Sequence, residues 1–188
     1  MVAPTIERLL TAEDLLRLPA SERYELVKGV LVAMTPPPGS EHGSLANQLA
    51  YLITYHVRQN SLGRVFAAET GFRLARAPDT VRAADVAFVS KSRLPAKLPK
   101  GYLDLAPDLV AEIVSPSDDP DEIQAKVKDW LDAGARIVLV VYSGSRQIAA
   151  RCGRPLREVT ILTEGDTLSV PDARSVPGFA CPVSDIFA

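Results

Sequence analysis

Two short apolar runs with a helix-forming stretch between them constrain this chain most. Residues 108–114 read DLVAEIV and residues 135–142 read ARIVLVVY, nearly unbroken rows of aliphatic side chains. Rows of this kind belong to strands covered on both faces, in the middle of a sheet. The stretch between them, DEIQAKVKDWLDAGA, opens with acidic residues that suit the positive end of a helix dipole, and it stops at Gly134. Strand, helix, strand is a crossover unit, so 108–114 and 136–142 are expected to lie parallel in one sheet.

Glu112 interrupts the first of these rows, and Asp85 sits in the same way inside VRAADVAFVS. A buried ionised carboxylate without a partner costs several kcal/mol, so such groups are paired, protonated or bound to metal. Two of them on neighbouring strands, followed by a lysine-bearing helix, point to a divalent-metal site for phosphodiester chemistry. Hard oxygen ligands with open coordination positions suit Mg²⁺, with Mn²⁺ as a substitute. Such an ion polarises a phosphoryl group and helps make hydroxide. The bland alternative is a pair of strand-end charges facing solvent or arginine, which the apolar flanks disfavour.

Lys126 is the third expected element, placed to orient water or stabilise charge on phosphorus. Lys128 points about 200° around the helix from it. Lys126 borders the packed face of Val127, Trp130, Leu131 and Gly134, whereas Lys128 lies toward solvent. Glu25, between Tyr24 and Leu26, is a further candidate carboxylate, against which stands a solvated strand face. Glu69 is a weaker one, and Gln124 a possible partner of metal-bound water. His42 offers a general base or a phosphate contact, or simply caps its helix.

The rest of the chain reads as scaffold. Thr11 and Asp14 have capping-box spacing for a helix running to Leu18. ERYELV and VLVAM around Lys28-Gly29 form a hairpin. TPPPGS is a loop, delivering the chain to a helix over 41–60 whose Leu45, Leu49, Leu52, Ile53 and His56 share a face; Gly63 terminates it. GRVFAAE and GFRLAR are two strands pivoting near Gly71. The basic segment 90–106 is a long connection, the length usual for a functional or mobile loop, and its Lys91, Arg93, Lys97 and Lys100 are candidate substrate contacts. Strands RQIAAR, REVTIL and TLSV make a meander, and Val176, Phe179, Val183, Ile186 and Phe187 anchor the tail.

Length and charge bound the function. At 188 residues, 47% hydrophobic and 23% charged, the chain is expected to form one α/β domain over 1–188. No apolar run reaches the about 20 residues of a membrane span, and the N-terminus lacks an apolar signal core, so a cytoplasmic protein without membrane partners is expected. Cys152 and Cys181 have no metal-ligand spacing and read as free thiols. A net charge of −2 argues against non-specific coating of nucleic acid but leaves local patches free to steer phosphates. The basics fall in groups: Arg73, Arg76 and Arg82; Lys91 to Lys100; Arg146, Arg151, Arg154 and Arg157. No Ser-His-Asp, Cys-His, GxGxxG or P-loop pattern is present.

The segments TAEDLLRLP, YELVKGVLVAM, AETGFRL, VRAADVAFVS, APDLVAEIVSPSD, KVKDWLDAGARIVLVVY and VPGFACPVSDIF, with His42 in SEHG, together resemble the Uma-type "putative restriction endonuclease" family of the PD-(D/E)XK nuclease superfamily. The resemblance implies a restriction-endonuclease-like core, a mixed central sheet flanked by helices, with Mg²⁺ held at Asp85 and Glu112. It matches Glu25 to the acidic residue of the first hairpin and Lys126 to the lysine of the following helix. Ala84 stands where the superfamily has proline, and Val114 stands at the lysine position of E-x-K.

The leading expectation is a Mg²⁺-dependent endonuclease that hydrolyses DNA phosphodiesters. Asp85 and Glu112 hold metal, Lys126 and Glu25 assist, and a homodimer would cut both strands. Two readings compete. One is a nuclease-fold protein without useful activity, acting as a nucleic-acid-binding or protein-interaction module, which Val114 and the acidic charge favour. The other is a metal hydrolase acting on a small phosphate ester.

Overall fold

The structure, a computed structural model, describes residues 8–19, 23–34, 39–115, 118–153, 158–170 and 175–188, without the Glu69 side chain. Residues 35–38 of the proline-rich loop, Pro116 and Ser117 of the acidic turn, and Arg154 and Arg157 lie outside it.

Local chemistry sets the first elements. In α1 (Ala12–Leu15) the Thr11 side chain accepts from the Asp14 N–H while the Asp14 carboxylate accepts from the Thr11 N–H, so the capping box forms, on a helix one turn long. The hairpin follows as β1 (Tyr24–Val27) and β2 (Val30–Ala33). Lys28 and Gly29 at its tip have φ of 50° and 80°, the paired left-handed conformations of a tight turn whose twist matches the strands. Helix α2 (Ser40–Gln59) buries Leu45, Ala46, Leu49, Ile53 and Val57, one stripe at helical spacing. His56 borders that stripe, its Nε2 2.8 Å from the Pro177 carbonyl oxygen.

Two expectations about glycine are corrected. The turn after α2 is made by Ser61, with φ of 52°, and by the Leu62 N–H donating to the Val57 carbonyl. Gly63 instead begins β3 (Gly63–Ala75), where it is pressed against β4 (Thr80–Ser90). A Cβ at Gly63 would lie 2.2 Å from the Val89 carbonyl oxygen. Gly63→Ala is expected to cost about 1–3 kcal/mol, read as a lower urea midpoint at unchanged m-value. β3 is also a single strand. Its pairing with β4 shifts register between Ala67 and Thr70 and again between Arg73 and Ala75, not at Gly71. Gly71 makes room for the Tyr102 ring, which an added Cβ would meet at 2.6 Å.

Among the described residues, eight strands form one mixed sheet in the order β2-β1-β4-β5-β6-β7-β8, with β3 also on β4. Here β5 is Leu109–Val114, β6 Ile137–Tyr142, β7 Gln147–Cys152 and β8 Val159–Leu162. β5 and β6 run parallel with Glu112 opposite Val140, and α3 (Pro120–Asp132) joins them. β6 is apolar throughout because both of its faces are covered. Ile137, Leu139 and Val141 pack on the α2 side, Val138 and Val140 on the side of Val127 and Trp130 of α3. Burying each such side chain contributes about 1.5–3 kcal/mol.

β7 and β8 continue the sheet antiparallel. The expected third strand of that meander departs: β9 (Thr167–Ser169) pairs with β10 (Ala180–Pro182) in a separate two-stranded sheet. The cause is apolar. Leu168 joins Val176, Phe179, Val183, Ile186 and Phe187 against α2, and the short helix α4 (Val183–Ile186) supplies two of them. No helix among the described residues is long and apolar enough to cross a membrane.

Candidate active site

β4 is paired with β3 from Thr80 to Ser90. Its other edge is divided. β1 meets it at Val81 and β5 at Val86, Ala87 and Phe88, so the two partners part company over residues 82–85. Backbone donors in such a gap still need acceptors, and carboxylates supply them. Glu25 Oε1 accepts from the Ala83 N–H at 2.8 Å, and Asp85 Oδ2 accepts from the Ile113 N–H at 2.8 Å. The strand also changes face here. Ala84 and Ala87 both join the core on the α3 side, whereas Val86 joins the α2 side. Asp85 occupies that step, across from the register shift in β3, and local irregularity of this kind re-aims a side chain.

One turn of α3 closes over the gap, with Asp129 and Trp130 three and four residues on from Lys126, the spacings that bring side chains together on a helix. Lys126 Nζ lies 2.9 Å from Glu112 Oε2 and 3.6 Å from Glu25 Oε1. The Trp130 indole N–H donates to Glu112 Oε1 at 2.7 Å. Arg82 donates through Nη1 to Glu25 Oε2 at 2.6 Å and through Nε and Nη2 to Asp129 Oδ2 at 3.0 and 2.6 Å. From the other face, His42 in the first turn of α2 brings Nε2 to 3.2 Å from Asp85 Oδ1. Glu25 and Glu112 are 7% and 6% exposed, while the side chains of Asp85 and Lys126 keep 21% and 24%. Solvent reaches the cluster beside Asp85 and Lys126.

The electrostatics follow from this packing. Burial pushes Glu112 up to about 7; Lys126 opposes the rise and Asp85 adds to it. Burial also works against the charge on Lys126, but Glu112 and Glu25 outweigh it and hold the ammonium protonated. For Asp85 burial is overcome by the hydrogen bonds from His42 and the Ile113 N–H, so its carboxyl titrates below the ordinary range. The bond to Asp85 raises His42 against the effect of its own burial.

The signs give a pH dependence. Glu112 binds its proton more tightly folded than unfolded, so stability falls as pH rises from 4.5 to about 7 and is level above. The contribution of His42 is present below 6.5 and is lost as pH rises through its higher folded value. Asp85 acts in the opposite sense only near and below 3.8. The metal-free protein is therefore expected to melt at a higher temperature near about pH 5.5 than near about pH 8, as a thermal scan at each pH would read.

Other candidates fall elsewhere. Lys128 pairs with Asp132 on the exposed side of α3. Gln124 accepts from Arg151 Nη1 at 2.9 Å, which turns it from the carboxylates toward β7. Arg93, expected as a substrate contact, is tied back to the body of the fold. It donates to Asp108 Oδ1 and to the Ala106 carbonyl, each at 2.8 Å, and Asp108 is fully buried. Lys91, Lys97 and Lys100 are exposed. Their segment is anchored, with Leu94, Leu98 and Leu105 packed on the α3-side core and the Leu103 carbonyl accepting from the Arg73 N–H. Arg73 itself holds Glu13 and Asp104. Sequence reasoning missed Arg82 and Asp129 as partners of the site and placed Trp130 only in the packed face. For Asp129 and Trp130 the spacing of three and four residues from Lys126 was the available signal.

A divalent cation fits this donor set. Asp85 Oδ1 meets only His42 Nε2 and Glu112 Oε2 accepts only from Lys126 Nζ among the hydrogen bonds of the described residues, so each oxygen retains a lone pair. Among the described residues no group of three or more His, Cys, Asp and Glu side chains is gathered as a metal cage, and the Glu69 side chain is outside the description. Two carboxylates with open positions are the pattern of Mg²⁺ sites completed by water and substrate phosphate.

Comparison with known proteins adds three findings. The family model of Uma2, described as "Putative restriction endonuclease", matches residues 12–184. The fold is similar to a solved structure described as "a putative nuclease belonging to DUF820 from Anabaena variabilis ATCC 29413", with a TM-score of 0.78 and 19% sequence identity over 95% of this chain and 97% of that one. No curated protein matches the sequence.

Proposed function

The chain belongs to the Uma2 family, and on that premise we propose that it is a Mg²⁺-dependent endonuclease hydrolysing DNA phosphodiester bonds. The observation that carries the reading is the gathering of Asp85, Glu112 and Glu25 around Lys126 where β1 and β5 separate along β4. A structural role alone gives no reason to concentrate three carboxylates inside a sheet, because their desolvation is unfavourable.

Asp85 and Glu112 would hold the ion, with Mn²⁺ able to replace Mg²⁺. When bound, it supplies a Lewis acid for the phosphoryl oxygens and makes hydroxide accessible near neutral pH. Lys126 keeps its charge beside both glutamates and is placed to offset negative charge developing on phosphorus. Glu25, fixed by Arg82 and the Ala83 N–H, holds Lys126 from the far side. His42 lies beside Asp85, whose hydrogen bond favours its protonated form, and is proposed as a contact for an approaching phosphate. Lys91, Lys97 and Lys100 are proposed as outer phosphate contacts, and cutting both strands of a duplex would call for a two-fold dimer.

Metal binding at Glu112 requires its proton to leave. The Mg²⁺-induced rise in melting temperature is therefore expected to be larger at about pH 8 than at about pH 6. A rise independent of pH, or none, would remove Glu112 from the ligand set.

The competing reading is a nuclease-fold binding module. Its support is Val114, an apolar residue buried at 7% exposure where the superfamily motif has lysine, and the occupation of both Glu112 oxygens by protein donors. Plasmid, single-stranded oligonucleotide and a small phosphate ester tested side by side separate the readings. An endonuclease cuts the first two, a phosphoesterase turns over only the third, and a module cuts none yet binds DNA with salt dependence.

A further inference from the structure

Glu112 is gripped at both oxygens from one turn of α3, by two donors of different kinds. Lys126 approaches on a flexible stem, keeps 24% of its side chain exposed and divides its charge between Glu112 and Glu25. Trp130 is fully buried. Its ring stands edge-on to Phe72, with centroids 6.0 Å apart and planes at 74°. Phe72 is in turn edge-on to Phe66 at 5.6 Å. A ring locked on this ladder cannot follow the carboxylate; the carboxylate must align to the ring's N–H. A phenylalanine would fill the same apolar space without a donor, so packing alone does not account for an indole here.

We propose that Trp130 is a positioning residue for Glu112. Its indole N–H, 2.7 Å from Oε1, fixes the carboxylate in the orientation that turns Oε2 toward Lys126 and the opening where a divalent cation binds. The inference rests on the metal site proposed above. Groups that orient a metal ligand typically change affinity by about 10–100-fold when removed.

The chain has one tryptophan, so the indole can be followed directly. Mg²⁺ is titrated by calorimetry into the wild type, Trp130→Phe and Phe72→Leu, with melting temperatures in parallel. Trp130→Phe is expected to bind about tenfold more weakly or worse. Phe72→Leu loosens the ring ladder but keeps the N–H, and is expected to lose stability while weakening Mg²⁺ binding less than Trp130→Phe does. In the wild type the single indole ¹H–¹⁵N resonance is expected to move as Mg²⁺ saturates, a readout that stands even if Trp130→Phe does not fold. No binding by the wild type would overturn the metal site and this inference together. Wild-type binding with an unmoved indole resonance, or equal affinity in Trp130→Phe, would overturn this inference alone.

Discussion

Asp85→Asn is expected to lower phosphodiester cleavage by about 10³-fold or more while leaving the fold intact. The size follows from the several kcal/mol that a positioned divalent ion contributes at the phosphoryl group, with each 1.4 kcal/mol worth about tenfold in rate. The fold survives because asparagine keeps the part of Asp85 that the sheet uses. Its amide oxygen can still accept from the Ile113 N–H, the bond that fills the divided edge of β4. What is lost is the anionic oxygen beside His42, on a side chain that solvent still reaches. Initial rates of plasmid cleavage, measured beside circular dichroism, separate the two effects. A variant that folds and still cuts within about tenfold of the wild type would take Asp85 out of the ligand set.

The second large effect is expected at Lys126. Lys126→Met removes the one cation between Glu112 and Glu25 and leaves two buried carboxylates facing each other. Breaking a buried ion pair from one side costs about 3–5 kcal/mol, so a fall in stability of that order is expected together with loss of cleavage. The loss of stability has a direction in pH. Without the ammonium, Glu112 takes up a proton more readily and its folded value rises above the wild-type value of about 7, so the variant recovers as pH is lowered through that higher value toward 4.5. Lys128→Met, on the same helix, is expected to leave stability and cleavage essentially unaltered, because Lys128 is exposed and pairs with the exposed Asp132. Equal effects at the two positions in urea melts would contradict the assignment.

These two substitutions touch what was most legible in the sequence. Asp85 and Glu112 stood out because carboxylates inside apolar rows need a reason. Lys126 was separable from Lys128 because 100° per residue fixes which one borders the Trp130 face. The parallel pairing of β5 and β6 was legible for a similar reason, since a crossover helix admits one arrangement. The hairpin at Lys28-Gly29 was written in its turn residues.

What was not legible depends on contacts far apart in the chain. That β1 and β5 share one edge of β4 cannot be read from either strand alone, and it is this sharing that opens the gap for Glu25 and Asp85. The role of Arg82 needs the hairpin and α3 in place at once, since it spans Glu25 and Asp129. Arg93 looked like an exposed basic residue in a basic loop. Only the fold brings the buried Asp108 beneath it. The departure of β9 from the meander has the same origin, because its partner β10 lies beyond a segment whose apolar residues are drawn to α2.

Everything proposed for the Asp85–Glu112 site depends on its cutting phosphodiester bonds with a bound divalent ion. It is tested most directly by incubating the wild type with supercoiled plasmid and Mg²⁺, with and without EDTA. Nicked and linear products are expected with Mg²⁺ and none with the chelator. Plasmid left intact under Mg²⁺ and under Mn²⁺, or cut equally well in EDTA, would contradict it.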